Sequence, residues 1–156
     1  MFEWLEYTPV AVWVGESLYG YPFMLSMHAV GLAIVVGIFA MRDLRLLGCF
    51  DGIQFASLKS LIKLGWSGFV INAISGVFLF TSQATMFADS TPFLFKISMI
   101  FLAAICAAVI QSRIRAEGHN WDIAGRVTAG SAQMLAALSI LLWTGAIISG
   151  RLVAYF

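Results

Sequence analysis

Residues 24–48 read MLSMHAVGLAIVVGIFAMRDLRLLG, a single histidine within an apolar run that ends abruptly in charge. From Tyr21 to Met41 there is no Asp, Glu, Lys or Arg in 21 residues. A helix rises about 1.5 Å per residue, so this run is long enough to cross a hydrocarbon core of roughly 30 Å. The run therefore predicts a membrane-spanning helix with His28 inside the membrane. Ionisable groups are costly there and tend to face a bundle interior with a partner, so His28 is a candidate site residue.

The composition indicates that the whole chain belongs to a membrane protein. Hydrophobic residues make up 61% of its 156 residues and charged residues 11%, against roughly 25% charged in soluble domains. This predicts a single integral membrane domain, residues 1–156, with about four spans. A net charge of +1 without a basic block argues against nucleic acid as a partner. No Gly-rich phosphate loop, nucleophile elbow or paired carboxylate is present, which argues against hydrolytic and phosphoryl-transfer enzymes.

The charge-free runs divide the chain into an all-α bundle of four helices. The predicted spans are about 21–41, 64–87, 92–112 and 128–151, and two interfacial helices are predicted at about 9–18 and 52–63. Thr8 and Pro9 form a good cap and first turn for the first interfacial helix. Lys59 and Lys63 of the second would face lipid headgroups.

The basic residues predict the orientation. Seven of the nine lie in the first and third loops: Arg42, Arg45, Lys59, Lys63, Arg113, Arg115 and Arg126. By the positive-inside rule these loops are cytoplasmic, so both termini face outward.

An imidazole, an amine and a guanidinium are predicted to lie at the outer side of the bundle. His28 lies about 9 Å below Pro22 and Lys96 about 6 Å below Pro92, so both belong to the outer half. Arg151 lies near the outer end of the fourth span. His28 and Lys96 could be the axial ligands of a haem b, with Arg151 at its propionates. The alternative is that Lys96 and Arg151 reach the outer interface while His28 bonds a backbone carbonyl.

A family resemblance favours the haem. His28, Gly37 and the pair Arg45–Leu46, together with Lys96 early in the third span, resemble the CopD-like small bacterial membrane proteins, and most of all their HemJ-type branch. More closely still, the phrase HAVGLAIVVGIFAMRDLRLLG resembles a family of uncharacterised four-span bacterial proteins. The resemblance implies the bacterial inner membrane, haem ligation by His28 and Lys96, and membrane-linked oxidation or electron transfer. The tryptophan-rich surroundings of HemJ proteins are not evident, so the resemblance implies haem binding more than porphyrinogen oxidation.

Two further functions stay open. The chain could be a cofactor-free accessory subunit of a larger membrane complex, or it could handle copper as CopD-like proteins do. Met24, Met27 and His28 are soft enough for Cu(I), but they cannot all converge from one helix face. Core methionines are the simpler interpretation.

The remaining polar and small residues have structural interpretations. Asn72 is predicted to hydrogen-bond between helices. Asp43 and Arg45, two apart, do not face each other and are predicted to cap helix ends or meet the loop after the third span. His119 is predicted to be a solvated loop residue. Small residues on spans two and four predict self-association or docking into a complex: Gly68, Ser75 and Gly76, and Gly145, Ser149 and Gly150.

Overall fold

The computed structural model describes residues 2–124, 130–153 and 155. All regular secondary structure in these ranges is helical, as predicted. The helices are α1 (Glu3–Glu6), α2 (Pro9–Glu16), α3 (Gly20–Leu46), α4 (Phe55–Thr81), α5 (Ala84–Asp89), α6 (Thr91–Ala124) and α7 (Gly130–Leu152). Four of them, α3, α4, α6 and α7, are long and apolar enough to cross a membrane. The all-α, four-helix class is therefore confirmed.

The first interfacial helix, predicted at about 9–18, is α2. The Thr8 hydroxyl accepts a hydrogen bond from the Ala11 amide at 3.3 Å, and Pro9 occupies the first turn. Thr8 thus satisfies one of the amides that a helix start leaves unpaired. The start of the fourth predicted span, near residue 128, and Arg126 lie outside the described residues.

The prediction of a separate second interfacial helix at about 52–63 is wrong. Residues 55–63 are the first turns of α4, which continues without a break and ends at Thr81 rather than near residue 87. The apolar stripe of Phe55, Leu58 and Ile62 is buried in the same core as Ile114 and Trp121 of α6. These side chains pack against protein instead of lying at the headgroup level, because α6 also runs on past its predicted end, to Ala124.

The long helices pack as two antiparallel pairs, α3 with α4 and α6 with α7, and α3 joins the pairs by contacting α7. The α3–α4 crossing is close. An added Cβ at Gly31 would lie 2.8 Å from the Asn72 amide nitrogen, and one at Gly68 would lie 2.6 Å from Ile34 Cγ2. Only glycine at these positions permits the observed approach.

The small residues predicted to form docking faces are used within the chain. Gly68 and Gly76 of α4 face α3, and Ser75 is buried. On α7, Gly145 faces Met99 and Gly150 faces Lys96. These contacts lie within one chain, and self-association stays a prediction.

The contacts at the charged end of the bundle, where α3 meets α4, contradict the prediction for Asp43 and Arg45. Arg45 donates to the Ile53 carbonyl at 2.6 Å and pairs with Asp51 at 3.1 Å, so it closes the loop between α3 and α4. In the described part of the chain, the Asp43 carboxylate contacts Arg42 and Ser139 rather than a helix end or a loop. It is fully buried against Arg42, because it lies on the side of α3 that faces α6 and α7.

The cap of α4 comes from another helix. Asp122 of α6 accepts from the backbone amides of Phe55 at 2.9 Å and Ala56 at 3.4 Å. Its carboxylate therefore satisfies the first free N–H groups of α4 and lies at the positive end of the helix dipole.

Candidate functional site

His28 is held by a hydrogen bond to the neighbouring helix. Its Nδ1 lies 3.0 Å from the Asn72 carbonyl oxygen and 3.3 Å from the Ser75 hydroxyl oxygen. A carbonyl can only accept, so Nδ1 carries the proton and donates. In the neutral ring this leaves the lone pair on Nε2. The same arrangement orients metal-binding histidines, whose second ring nitrogen is fixed by a hydrogen bond.

Asn72 also donates a hydrogen bond to His28. Its side-chain amide donates to the His28 carbonyl at 2.8 Å, which confirms the predicted bond between helices. Gly76 leaves room for the imidazole, because an added Cβ there would lie 3.1 Å from His28 Cε1. The ring position is thus fixed by α4 from two sides.

His28 and Lys96 line one cavity of about 370 Å³ between α4 and α6. Apart from Asn72 its other walls are apolar or glycine: Phe69, Ala73, Gly76, Val77, Phe80, Phe93, Ile97 and Ile100. Small-molecule pockets typically occupy about 300–1,000 Å³ and combine apolar walls with a few polar groups. The structure therefore brings together the two residues that the depth comparison placed at one level.

Lys96 reaches this cavity along α7. An added Cβ on Gly150 would lie 3.3 Å from Lys96 Cδ and Cε and 3.5 Å from Nζ, so the lysine stem packs over that glycine. Among the described residues the amine has neither a hydrogen bond nor an ion pair. A half-buried amine without a partner beside an apolar cavity is free to bind a ligand.

Arg151 is not brought to the cavity. It lies in the last turn of α7, next to Gly150, and its side chain is exposed. The exposure of Arg151 agrees with the alternative in which this side chain reaches the interface. The hydrogen bond from His28 to the Asn72 carbonyl agrees with the same alternative. His28 lies on a cavity wall, and among the described residues only its Nδ1 has a hydrogen bond, so the alternative leaves Nε2 without a role.

A stack of three aromatic rings lies beside the cavity, and sequence reasoning missed it. Phe80, Phe87 and Phe93 are nearly parallel, with ring centroids 5.3 to 6.4 Å apart. The first and last of them also line the cavity. The ring of Phe2 meets Phe80 edge-on at 6.3 Å, so the N-terminal segment packs onto this stack. The clue in the sequence was the spacing of three phenylalanines, one before, one within and one after residues 82–90.

Glu6 fixes the N-terminal segment to α5. Its carboxylate accepts from the Thr85 hydroxyl at 2.6 Å and from the Thr85 amide at 2.8 Å. These two hydrogen bonds, the hydroxyl first, hold the pKa of Glu6 below its usual value. The segment over the aromatic stack is therefore held by an ionised carboxylate.

One side of the cavity lies at the apolar surface of the bundle. Two lining residues, Val77 on α4 and Ile97 on α6, are 59% and 48% exposed on that surface.

Comparison with family models, with curated proteins and with solved structures finds no match to this chain. The resemblance to CopD-like and HemJ-type proteins therefore stays a prediction. Within the described ranges no three His, Cys, Asp or Glu side chains converge on a metal position. Met24 and Met27 do not line the His28 cavity, so the copper hypothesis gains no additional ligand there.

Proposed function

We propose that this protein binds one haem b in the cavity lined by His28 and Lys96 and acts in electron transfer or membrane-linked oxidation. The observation that carries the proposal is the bond from His28 Nδ1 to the Asn72 carbonyl. It leaves the lone pair of Nε2 for the iron on the wall of an apolar cavity. Bound haem would supply one-electron chemistry at this level of the membrane.

The residues around the cavity suit such a cofactor. The imidazole of His28 and the amine of Lys96 would hold the haem iron. An amine ligates only when unprotonated, and no described acidic partner holds Lys96 in its ammonium form. The apolar walls suit the macrocycle and exclude water, while Gly76 keeps the imidazole in place. Arg151, at the same end of the bundle, is our proposed partner for the propionates.

The proposed location is the bacterial inner membrane, with both termini periplasmic. The support is the concentration of basic residues at one end of the bundle, where α3 is followed by α4 and where α6 ends. The cavity then belongs to the periplasmic half, and its position at the apolar surface of the bundle favours a membrane-dissolved redox partner.

Spectroscopy of the purified protein tests the haem. We expect a Soret band, and a pyridine haemochrome assay should identify non-covalent haem b. His28→Ala should abolish the band, and Lys96→Met should shift the spectrum while haem is retained through the remaining ligand. Arg151→Ala should weaken retention with little change in the spectrum.

Matched controls are available on the charged side. His119 and Lys63 are both exposed, so His119→Ala and Lys63→Met should leave the spectrum and haem content unchanged. A colourless protein from haem-replete cells, unchanged by added hemin, would overturn the proposal. That result would favour a cofactor-free accessory subunit.

A further inference from the structure

A second cavity, of about 540 Å³, lies at the end of the bundle where α6 begins and α7 ends. Two of its apolar lining residues, Phe95 and Leu152, are 58% and 41% exposed on the surface of the bundle. Because α6 and α7 are long enough to cross a membrane, their ends lie near the lipid headgroups. The polar lining residues carry one carboxylate and three hydroxyls: Asp89, Ser90, Thr91 and Ser149.

Ser90 has the backbone of a helix cap, but its hydroxyl is unused. Its φ and ψ are −78° and 112°, and its carbonyl accepts the first hydrogen bond of α6, from the Leu94 amide at 3.1 Å. Serine at such a position normally accepts from an amide of the first turn. Ser90 is only 9% exposed, yet its Oγ has no partner in the described part of the chain. Buried polar groups are normally paired, so a free hydroxyl in a residue that lines a cavity points to a ligand there.

The first turn of α6 offers further donors beside Ser90. Pro92 has no N–H, and the amides of Thr91 and Phe93 make no hydrogen bond to any described residue. Free amides at the start of a long helix attract anions, because their N–H groups point outward at the positive end of the helix dipole. Phosphate oxygens would therefore suit these amides and the Ser90 hydroxyl.

An anion alone does not suit the cavity, because Asp89 adds a negative charge to its lining. The Asp89 side chain is exposed, and none of the ion pairs or side-chain hydrogen bonds among the described residues involves it. A cation next to the phosphate would pair with this carboxylate. An ammonium joined to a phosphate by a short carbon link has the charge pattern that the cavity presents.

We propose that this cavity binds a phospholipid whose headgroup carries a primary ammonium, as in phosphatidylethanolamine. The phosphate accepts hydrogen bonds from Ser90 and the first amides of α6, and the ammonium donates to Asp89. The acyl chains lie along Phe95 and Leu152, which is why the ligand is a lipid rather than a soluble phosphate ester. The cavity shares no lining residue with the His28 cavity, so this proposal does not depend on haem binding.

Native mass spectrometry of the protein in mild detergent tests the proposal, because it resolves bound lipids by mass. Phosphatidylglycerol lacks the ammonium, and the quaternary ammonium of phosphatidylcholine cannot donate a hydrogen bond. We expect one phosphatidylethanolamine to bind about fivefold more tightly than either, the upper end for an exposed ion pair. Asp89→Asn should remove this preference and leave phosphatidylglycerol binding unchanged. Ser90→Ala should weaken the binding of both lipids alike, since both carry the phosphate.

Matched controls lie on the same half of the bundle. Glu16 is an exposed carboxylate on α2 that does not line the cavity, so Glu16→Gln should leave lipid binding unchanged. The exposed Ser98 donates to the Leu94 carbonyl at 2.9 Å, and Ser98→Ala is the control for Ser90→Ala.

Soluble phosphoethanolamine separates the lipid from its headgroup alone. At the concentration that saturates the site with phosphatidylethanolamine, it should not displace the lipid. Three results would each overturn the proposal: equal binding of the three lipids, a preference that survives Asp89→Asn, or displacement by the soluble ester.

Discussion

Replacing Gly31 by alanine should separate α3 from α4 at their closest crossing. The added Cβ would lie 2.8 Å from the Asn72 amide nitrogen and 3.0 Å from Asn72 Cα. Optimal carbon contacts are at about 3.5–4.0 Å, so the helices must move apart by roughly 0.5–1 Å. The contacted atoms are backbone and cannot rotate away, so the whole crossing must adjust.

Two contributions determine how much Gly31→Ala lowers the free energy of unfolding. Overpacking of this kind costs about 1–3 kcal/mol. The separation also strains the two hydrogen bonds between His28 and Asn72, each worth about 0.6 kcal/mol between membrane helices. We expect Gly31→Ala to lower the free energy of unfolding by about 2–3 kcal/mol, which is roughly a 30- to 150-fold change in the unfolding equilibrium.

Gly37 gives the matched control on the same helix. No atom lies within 4 Å of a Cβ added there, so Gly37→Ala introduces no clash and should be neutral or slightly stabilising. Reversible unfolding by SDS in mixed micelles, followed by tryptophan fluorescence, measures both variants. If Gly31→Ala proved as stable as Gly37→Ala, the close α3–α4 crossing and the fixed position of His28 would both be wrong.

Three other outcomes follow from the contacts between helices. The pKa of Glu6 is lowered, so its contact between α1 and α5 is fully present above the usual pKa of glutamate and is lost as pH falls through the lowered pKa. The fluorescence of Trp4, which lies on α1, should report this loss. Glu6→Gln should remove the pH dependence. Asp122→Ala should cost about 1 kcal/mol in the same unfolding assay through the lost cap of α4, and Asp122→Asn less, since asparagine also caps well. Reporter fusions at Gly52 and Ser90 should be active in the cytoplasm and the periplasm respectively, and the reverse pattern would contradict the orientation.

The sequence alone was sufficient for the helices that cross the membrane. In hydrocarbon every backbone N–H and C=O must be paired within its own segment, so a long charge-free run can adopt little except a helix. Hydropathy therefore predicted the start of α3 and of α6 and the end of α7 closely, whereas α6 continues to Ala124 rather than ending near residue 112. The interhelical bond of Asn72 was predictable for the same reason, because a polar side chain in lipid must find a partner.

Tertiary structure decided which side chains meet. Whether residues 55–63 lie on the membrane surface or continue α4 depends on the buried contact of Phe55 with Trp121, a residue 66 positions away. The rotation of α3 about its axis decides that Arg42 and Asp43 enter the core, while Arg45 reaches Ile53. Local pattern indicates which stretches are helical, but how far a helix extends, its rotation and its neighbours follow from packing against distant parts of the chain, which no single stretch contains.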